Sequence, residues 1–381
     1  MSKFIIVVMD GVGIGALPDA LLYGDEGTDT LGHLAAVSGG LSLPCLESLG
    51  LGNLGDFKGM RKNPGPLASF GRMEELSKGK DTITGHWEMM GVVNETPFPT
   101  YPEGFPKEVI AEFERRIGRK VLWNRPASGT EIIERLGREH MRTGRPIVYT
   151  SADSVFQVAA HEDIISVEEL YSMCRVAREI LKPPHNVCRV IARPFVGPPF
   201  TRTYRRKDFP LPPPEETVLD LLKAKGAQVV SVGKVGDMFG GRGFTASVKA
   251  AGNQDIMRKV AEAALSLESG LIFSNLVDFD TLYGHRNDAA GFKKALEEFD
   301  SWLSYFIPLL GADDHLLLTA DHGNDPTTPG TDHTREYVPV LFYGRRLKPR
   351  DLGTRRGFMD IGATVADIFG VEFGKGKSFL K

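Results

Sequence analysis

The sequence is short of cysteine, of excess positive charge and of long apolar runs, and each shortage excludes something. Its three cysteines, Cys45, Cys174 and Cys188, lie far apart, are odd in number and form no C-x-x-C pair. They cannot staple a disulfide framework, and a reducing compartment suits them best. Lys and Arg total 46 against 49 Asp and Glu, a formal net charge of -3, without the basic excess of a nucleic-acid binder. No apolar run approaches the ~20 residues that a membrane helix needs. A strand-like apolar run begins at residue 4, leaving no charged leader before it and no cleavage site after a long apolar stretch. These absences predict a soluble, cytoplasmic protein with no nucleic-acid or membrane partner, and no obligate protein partner is inferred. At 381 residues the chain exceeds one small core and is long enough for two domains.

What is present is a repeated alternation. Apolar runs of strand length occur at residues 4–9, 228–232, 271–277, 315–319 and 338–343. Between the later runs, Ile256, Val260, Ala263, Ala264 and Leu267 follow a 3.6-residue period. So do Phe292, Ala295, Leu296, Phe299, Leu303, Phe306 and Ile307, ending at Pro308. Residues 360–369 suit a last covering helix. Strands alternating with helices predict an α/β core: a mostly parallel sheet with helices on both faces. The middle differs. Proline crowds residues 97–106 and 210–214, which resist regular structure and suit crossings between domains. Between them, residues 107–117 and 167–182 read as helices and 146–150 and 187–192 as strands. The expected organisation is a discontinuous core, residues 1–95 and 213–381, carrying an inserted α+β domain at 96–212.

Three strand-like runs deliver a carboxylate at their carboxyl ends, where open parallel sheets place ligands. The first gives Asp10. The second gives Asp280 with His285, and the third gives Asp321-His322 with His333 in TADHGNDPTTPGTDH. Buried carboxylates repel and are costly unless paired or metal-bound, so two divalent cations shared among these six residues form the expected site. Two dications and three carboxylates leave net positive charge, which suits phosphoryl transfer; mixed N/O donors do not choose the metal. In GKDTITGHWE a hydroxyl at a loop-to-helix junction is a candidate nucleophile, and the residues alone leave Thr82 and Thr84 open. The competing role for such a Thr is a helix cap, and His86 reads as a packed histidine. Arg189 and Arg193 share one face of a strand, and two guanidinium forks on one face suit a sugar phosphate. The solvated-face reading carries weight from Arg205 onward. Ser151 and Asp153 follow another strand and can contact sugar hydroxyls.

Long blocks carry a likeness: VVMDGVGIG, GKDTITGHWE, YTSADSVFQVAAHE, RVIARPFVGPPFTRT, NLVDFDTLYGH and TADHGNDPTTPGTDHTREYVP. In these, along nearly its whole length, the chain resembles the bacterial phosphopentomutases of the alkaline phosphatase superfamily. The resemblance implies an alkaline-phosphatase-like core with a cap formed by the insertion. It implies one manganese ion on Asp10, Asp321 and His322, facing Thr82, and a second on Asp280, His285 and His333. It settles the nucleophile as Thr82, and gives Ser151, Asp153, Arg189, Arg193 and Arg202 as cap residues receiving the pentose phosphate. The implied reaction interconverts ribose 1-phosphate and ribose 5-phosphate, and the deoxyribose pair, through phospho-Thr82 and a 1,5-bisphosphate. A sugar bisphosphate, such as glucose 1,6-bisphosphate or ribose 1,5-bisphosphate, is the implied activator. One departure is Gly11, where the family often has Ser. The alternative is a metal-dependent phosphatase or phosphodiesterase of the same superfamily. A sulfatase is excluded because Cys45 lacks its C-x-P-x-R setting, and a metal-stabilised scaffold would leave the Thr and Arg set without purpose.

Overall fold

The computed structural model describes residues 2–151 and 153–381. In chain order the strands are β1 (Lys3–Met9), β2 (Ser69–Glu74), β3 (Leu122–Pro126), β4 (Ile147–Thr150), β5 (Val155–His161), β6 (Arg189–Val196) and β7 (Thr201–Arg202). There follow β8 (Lys207–Pro210), β9 (Val229–Val232), β10 (Ala246–Val248), β11 (Gly270–Leu276), β12 (His315–Thr319), β13 (Val338–Gly344) and β14 (Asp351–Arg356). Contacts between residues divide the chain into one unit of residues up to Thr96 and from Pro213 on, and a second unit, Pro97–Pro212.

The first unit is built on an eight-stranded sheet, ordered β10-β9-β11-β1-β12-β13-β2-β14. From β10 to β12 all neighbours are parallel, and β13 runs antiparallel to β12 and β2. β1, β11 and β12 are almost wholly buried, which is why they read as continuous apolar runs rather than alternating ones. The Gly252–Ser266 helix packs on β9 and β11. The Ala289–Phe306 helix buries the stripe Phe292, Leu296, Phe299 and Leu303 that its periodicity marks. The architecture is the expected α/β core with a mostly parallel sheet. The outer strands β2 and β14 escape sequence reasoning. SFGRME alternates weakly and DLGTRR is largely exposed, so both are strands through pairing rather than through their own apolar pattern.

The second unit holds the sheet β3-β4-β5-β6-β7, with β8 on β6. Its two faces bury different residues. Val148, Val158, Val190 and Ala192 pack with the Lys107–Ile117 and Val167–Ile180 helices, while Ile147, Tyr149, Ala159 and Phe195 pack with the Gly129–Thr143 helix. That alternation is the two-residue period of a strand. The run at 187–192 begins later and extends further than its sequence pattern, because β6 pairs with β5 as far as Phe195 opposite His161. The helix at 167–182 stops at Ile180, before Pro183-Pro184. Among the described residues no helix is long and apolar enough to cross a membrane.

Candidate metal centre

β1 lies between β11 and β12, with Met9 opposite Leu276 and Val8 opposite Thr319. Parallel strands in this register bring Asp10, Asp280 and Asp321 out at one edge of the sheet. The chain turns there at Gly11, whose φ is +78°. Its N–H donates to Asp321 Oδ1 (3.1 Å) and its carbonyl accepts from the Asn324 N–H (2.8 Å). A Cβ at this position would lie 3.0 Å from Asn324 Cβ in a conformation that L side chains rarely adopt. The glycine that departs from the family pattern meets this geometry without strain.

Two triads offer ligand atoms mutually within 4.8 Å: Asp10, Asp321 and His322, and Asp280, His322 and His333. His322 belongs to both, whereas the resemblance gave it to one ion alone. Its Nε2 lies 3.4 Å from Asp10 Oδ1 and 3.5 Å from Asp321 Oδ2, and its ring centroid is 4.1 Å from that of His333. His333 Nε2 is 3.4 Å from Asp280 Oδ1. His285 stands outside the second triad but touches it, with Nε2 at 3.2 Å from Asp280 Oδ2 and its ring 4.7 Å from that of His333. The six residues singled out in the sequence thus form one cluster.

The donor set fits divalent ions on three counts. Asp10 Oδ1 and Asp321 Oδ2 are buried without a hydrogen-bond partner, an arrangement that costs free energy unless a cation satisfies it. His322 Nδ1 meets the Gly323 carbonyl (3.0 Å) and His285 Nδ1 meets the Thr331 carbonyl (2.6 Å). A carbonyl only accepts, so each Nδ1 carries a proton and Nε2 is the atom turned toward the cluster, the orientation metal-binding imidazoles adopt. Third, burial and then the neighbouring Asp321 and Asp280 push the Asp10 carboxyl well above the usual carboxylate range. Burial opposes ionisation of Asp280 too, but hydrogen bonds from His285 and His333 outweigh it and hold that carboxyl well below the usual range. Burial pushes the His322 imidazole down from its usual range, favouring the neutral ring. Three acids packed this tightly do not all ionise without added positive charge.

Thr82 opens the Thr82–Met89 helix, and Asp81, not a threonine, is the cap. Its Oδ1 accepts from the Ile83 and Thr84 N–H groups at 3.1 Å each. The Thr84 hydroxyl is buried and donates to Asp81 Oδ2 (2.6 Å), so it is occupied. Thr82 Oγ1 instead lies 3.1 Å from His322 Nε2. His86 packs, stacked on Phe273 with ring centroids 5.5 Å apart. It also donates from Nδ1 to the Thr82 carbonyl (2.8 Å) and sits 3.4 Å from Asp321 Oδ2, tying the helix start to the carboxylate cluster.

Other supporting residues escaped the sequence reading. Asn275 donates to Asp10 Oδ2 (2.8 Å) and Asn324 to Asp280 Oδ1 (2.6 Å). Lys80 bridges Asp25 (3.0 Å) and Asp332 (3.3 Å). Arg335 is almost wholly buried and bonds Glu75, Asp19 and the Gly79 carbonyl, so the loops bearing Thr82 and His333 are held by shared ion pairs. The only signal for these was proximity to the motifs, since polarity alone does not tell a buried charge from a solvated one. In the second unit, Ser151 and Asp153 occupy the turn between β4 and β5. Arg193 donates to Gln157 Oε1 (3.1 Å), Arg189 lies 3.9 Å from Asp208, and Arg202 sits on the short β7.

Comparison with known proteins agrees with this chemistry. The family model described as the metalloenzyme superfamily matches residues 2–373, which places the chain in that class. It is 56% identical to the phosphopentomutase of Caldanaerobacter subterraneus subsp. tengcongensis over 385 aligned positions, covering 100% of this chain and 98% of the relative. The phosphopentomutase of Symbiobacterium thermophilum is likewise 56% identical, with the same coverage. The chain belongs to the phosphopentomutase family, and it is an isomerase that depends on divalent metal. Among solved structures, protein PH0037 of Pyrococcus horikoshii shares the fold, with a TM-score of 0.52 at 14% identity over 98% of this chain and 99% of that one.

Proposed function

We propose that the enzyme interconverts ribose 1-phosphate and ribose 5-phosphate, and their deoxyribose counterparts, through a phosphorylated Thr82. The observation that carries this is the Thr82 hydroxyl, 3.1 Å from the imidazole that both triads share, while the neighbouring Thr84 hydroxyl is held by Asp81. Phospho-Thr82 transfers its phosphoryl group to the free C1 or C5 hydroxyl of a pentose monophosphate. The P–O bond to Thr82 breaks, a P–O bond to the sugar forms, and the sugar hydroxyl proton passes to the released threonine oxygen. The resulting 1,5-bisphosphate returns its other phosphate to Thr82 by the reverse exchange. A sugar bisphosphate such as glucose 1,6-bisphosphate or ribose 1,5-bisphosphate would prime the resting enzyme.

Asp10, Asp321 and His322, and Asp280, His285 and His333 with His322 between them, would hold two manganese ions. Such ions supply charge stabilisation to a transferring phosphoryl group. Asp81 and the helix N-terminus orient Thr82, and His86 fixes its backbone. Ser151, Asp153, Arg189, Arg193 and Arg202 in the second unit would bind the pentose phosphate, giving that unit the role of substrate-binding cap. Three free, widely separated cysteines support a cytoplasmic setting.

Thr82→Ala should fold and bind metal at parent stoichiometry yet lose pentose phosphate exchange, while Thr84→Ala keeps part of it. Intact mass before and after addition of a sugar bisphosphate, with the modified peptide mapped, tests this directly. Phosphate on another residue of active enzyme would falsify the assignment. Parent enzyme that releases inorganic phosphate faster than it exchanges sugar phosphates would make it a hydrolase.

A further inference from the structure

Glu336 carries a carboxyl that the phosphoryl-transfer chemistry leaves unexplained. It is 2% exposed, and burial pushes it up to about 7. Its hydrogen bonds come from four neutral donors. Oε2 accepts from the Gly15 N–H (3.1 Å) and the Thr30 N–H (2.9 Å). Oε1 accepts from the hydroxyls of Thr30 and Thr334, both at 2.7 Å. Two glycines clear the space around it: a Cβ on Gly13 would lie 2.2 Å from Oε2, and one on Gly323 2.5 Å from Oε1. These donors belong to the loop after Asp10, the first residue of the Thr30–Val37 helix and the segment after His333. A glutamine of the same shape would turn its amide N–H groups against two of them.

The bonds continue past Glu336. An ionised carboxylate only accepts, so the Thr30 hydroxyl donates to it and keeps its lone pairs for another donor. That donor is the Asn324 N–H, 3.1 Å from Thr30 Oγ1 and also 2.8 Å from the Gly11 carbonyl. Asn324 is buried, and its amide donates to Asp280 Oδ1 (2.6 Å). A Cβ on Gly284 would lie 2.4 Å from Asn324 Cγ, so the carboxamide has little room to turn. We propose that Glu336 is a positioning residue for the metal centre. Through Thr30 and Asn324 it fixes the orientation of Asp280, and so sets the affinity for the divalent ion held there. Partners of this kind tune a metal site because they hold its ligand in one orientation before the ion arrives. The inference rests on the reading of Asp280 as a ligand, and it gives Glu336 and Thr30, neither of which touches the cluster, a part in the centre.

Calorimetric titration of manganese into chelated, full-length protein tests it. Glu336→Gln should weaken manganese roughly ten- to a hundredfold. Thr30→Val keeps both the shape of the side chain and the charge on Glu336 but removes the linking hydroxyl. It should weaken manganese about three- to tenfold, the worth of one hydrogen bond. Thr30→Ser keeps the hydroxyl and should bind manganese nearly as the parent does. In an Asn324→Ala background, Thr30→Val should cause no further loss, because the path to Asp280 is already cut. The Tm of each chelated variant separates fold from site: a purely structural role would lower Tm and leave the manganese affinity of folded protein unchanged. If Glu336→Gln does not fold, the Thr30 pair decides. Parent affinity in Thr30→Val, or an undiminished further loss in the Asn324→Ala background, overturns the proposal. Asp280→Asn that binds manganese as the parent does would instead sink the ligand reading, and the positioning role with it.

Discussion

In the first unit, five parallel strands run side by side and three of them end in buried carboxylates interleaved with imidazoles. In the second, a smaller sheet carries arginines and an unpartnered tyrosine beside a helix N-terminus. One arrangement has an excess of acceptors and the other an excess of donors. Each leaves buried polar groups without a counterpart, carboxylate oxygens in the first and a phenol hydroxyl in the second. A catalyst that moves phosphate needs both kinds. Stability sacrificed in the free protein becomes affinity when the counter-charge arrives.

The sharpest way to break this comparison is at Asp10. In metal-free protein its carboxyl is held well above the usual range, by burial first and by Asp321 and Asp280 next, so it resembles a neutral group already. Asp10→Asn should therefore leave the Tm of chelated protein almost unchanged. It should abolish most of the rise in Tm expected when divalent metal is added to the parent, and lower exchange by about a thousandfold or more. Scanning calorimetry with and without chelator, alongside metal counting, checks it. A full complement of metal in the variant would remove Asp10 from the ligand set.

A smaller effect is expected at Asp81, which serves the metal unit without joining the cluster. Asp81→Ala removes the cap from the Ile83 and Thr84 N–H groups and frees the Thr84 hydroxyl. Loss of a helix cap costs about 1 kcal/mol, and denaturant unfolding should report that. Exchange should fall more than stability implies, because Thr82 is no longer fixed toward His322. Activity lost in proportion to folded protein alone would reduce Asp81 to a structural cap.

The smallest effect separates the two units by pH. His140 Nδ1 donates to the Arg145 carbonyl (2.6 Å) and its Nε2 accepts from the His161 N–H (2.9 Å), so both nitrogens are committed to the neutral ring. Burial pushes its pKa down from the usual 6.5. Below pH 6.5 the unfolded chain then binds a proton that the folded unit refuses, so this contribution is complete above that pH and is lost as pH falls below it. Hydrogen exchange should show the Gly129–Thr143 helix and β5 loosening on mild acidification, and His140→Gln should flatten the trend. Loosening of equal size in that variant would point to another group.

Both prolyl crossings and the long apolar strands were legible because their residue types allow little else: proline lacks an N–H, and FIIVVM or LIFSNL has no polar face to offer water. The Gly129–Thr143 helix was not, since GTEIIERLGREHMRT holds two glycines and few apolar residues, and its helicity is stabilised by packing on β4 and β5. At the site, Asp10, Asp280, His285, Asp321, His322 and His333 were singled out because acids and imidazoles after strand ends have few structural uses, and they lie together in the fold. The choice between Thr82 and Thr84 was beyond the local pattern, since two hydroxyls two residues apart differ only in what folding places opposite them. The sharing of His322 by two triads was equally hidden.

By itself the sequence determined which side chains exist in sufficient number and spacing to bind metal and phosphate, and which segments must be buried. Tertiary structure decided which of them meet. The order β11-β1-β12 joins residues about 270 and 310 positions apart along the chain, and no local propensity encodes such a pairing. It follows from the free energy of covering whole faces of a sheet, which depends on every strand at once.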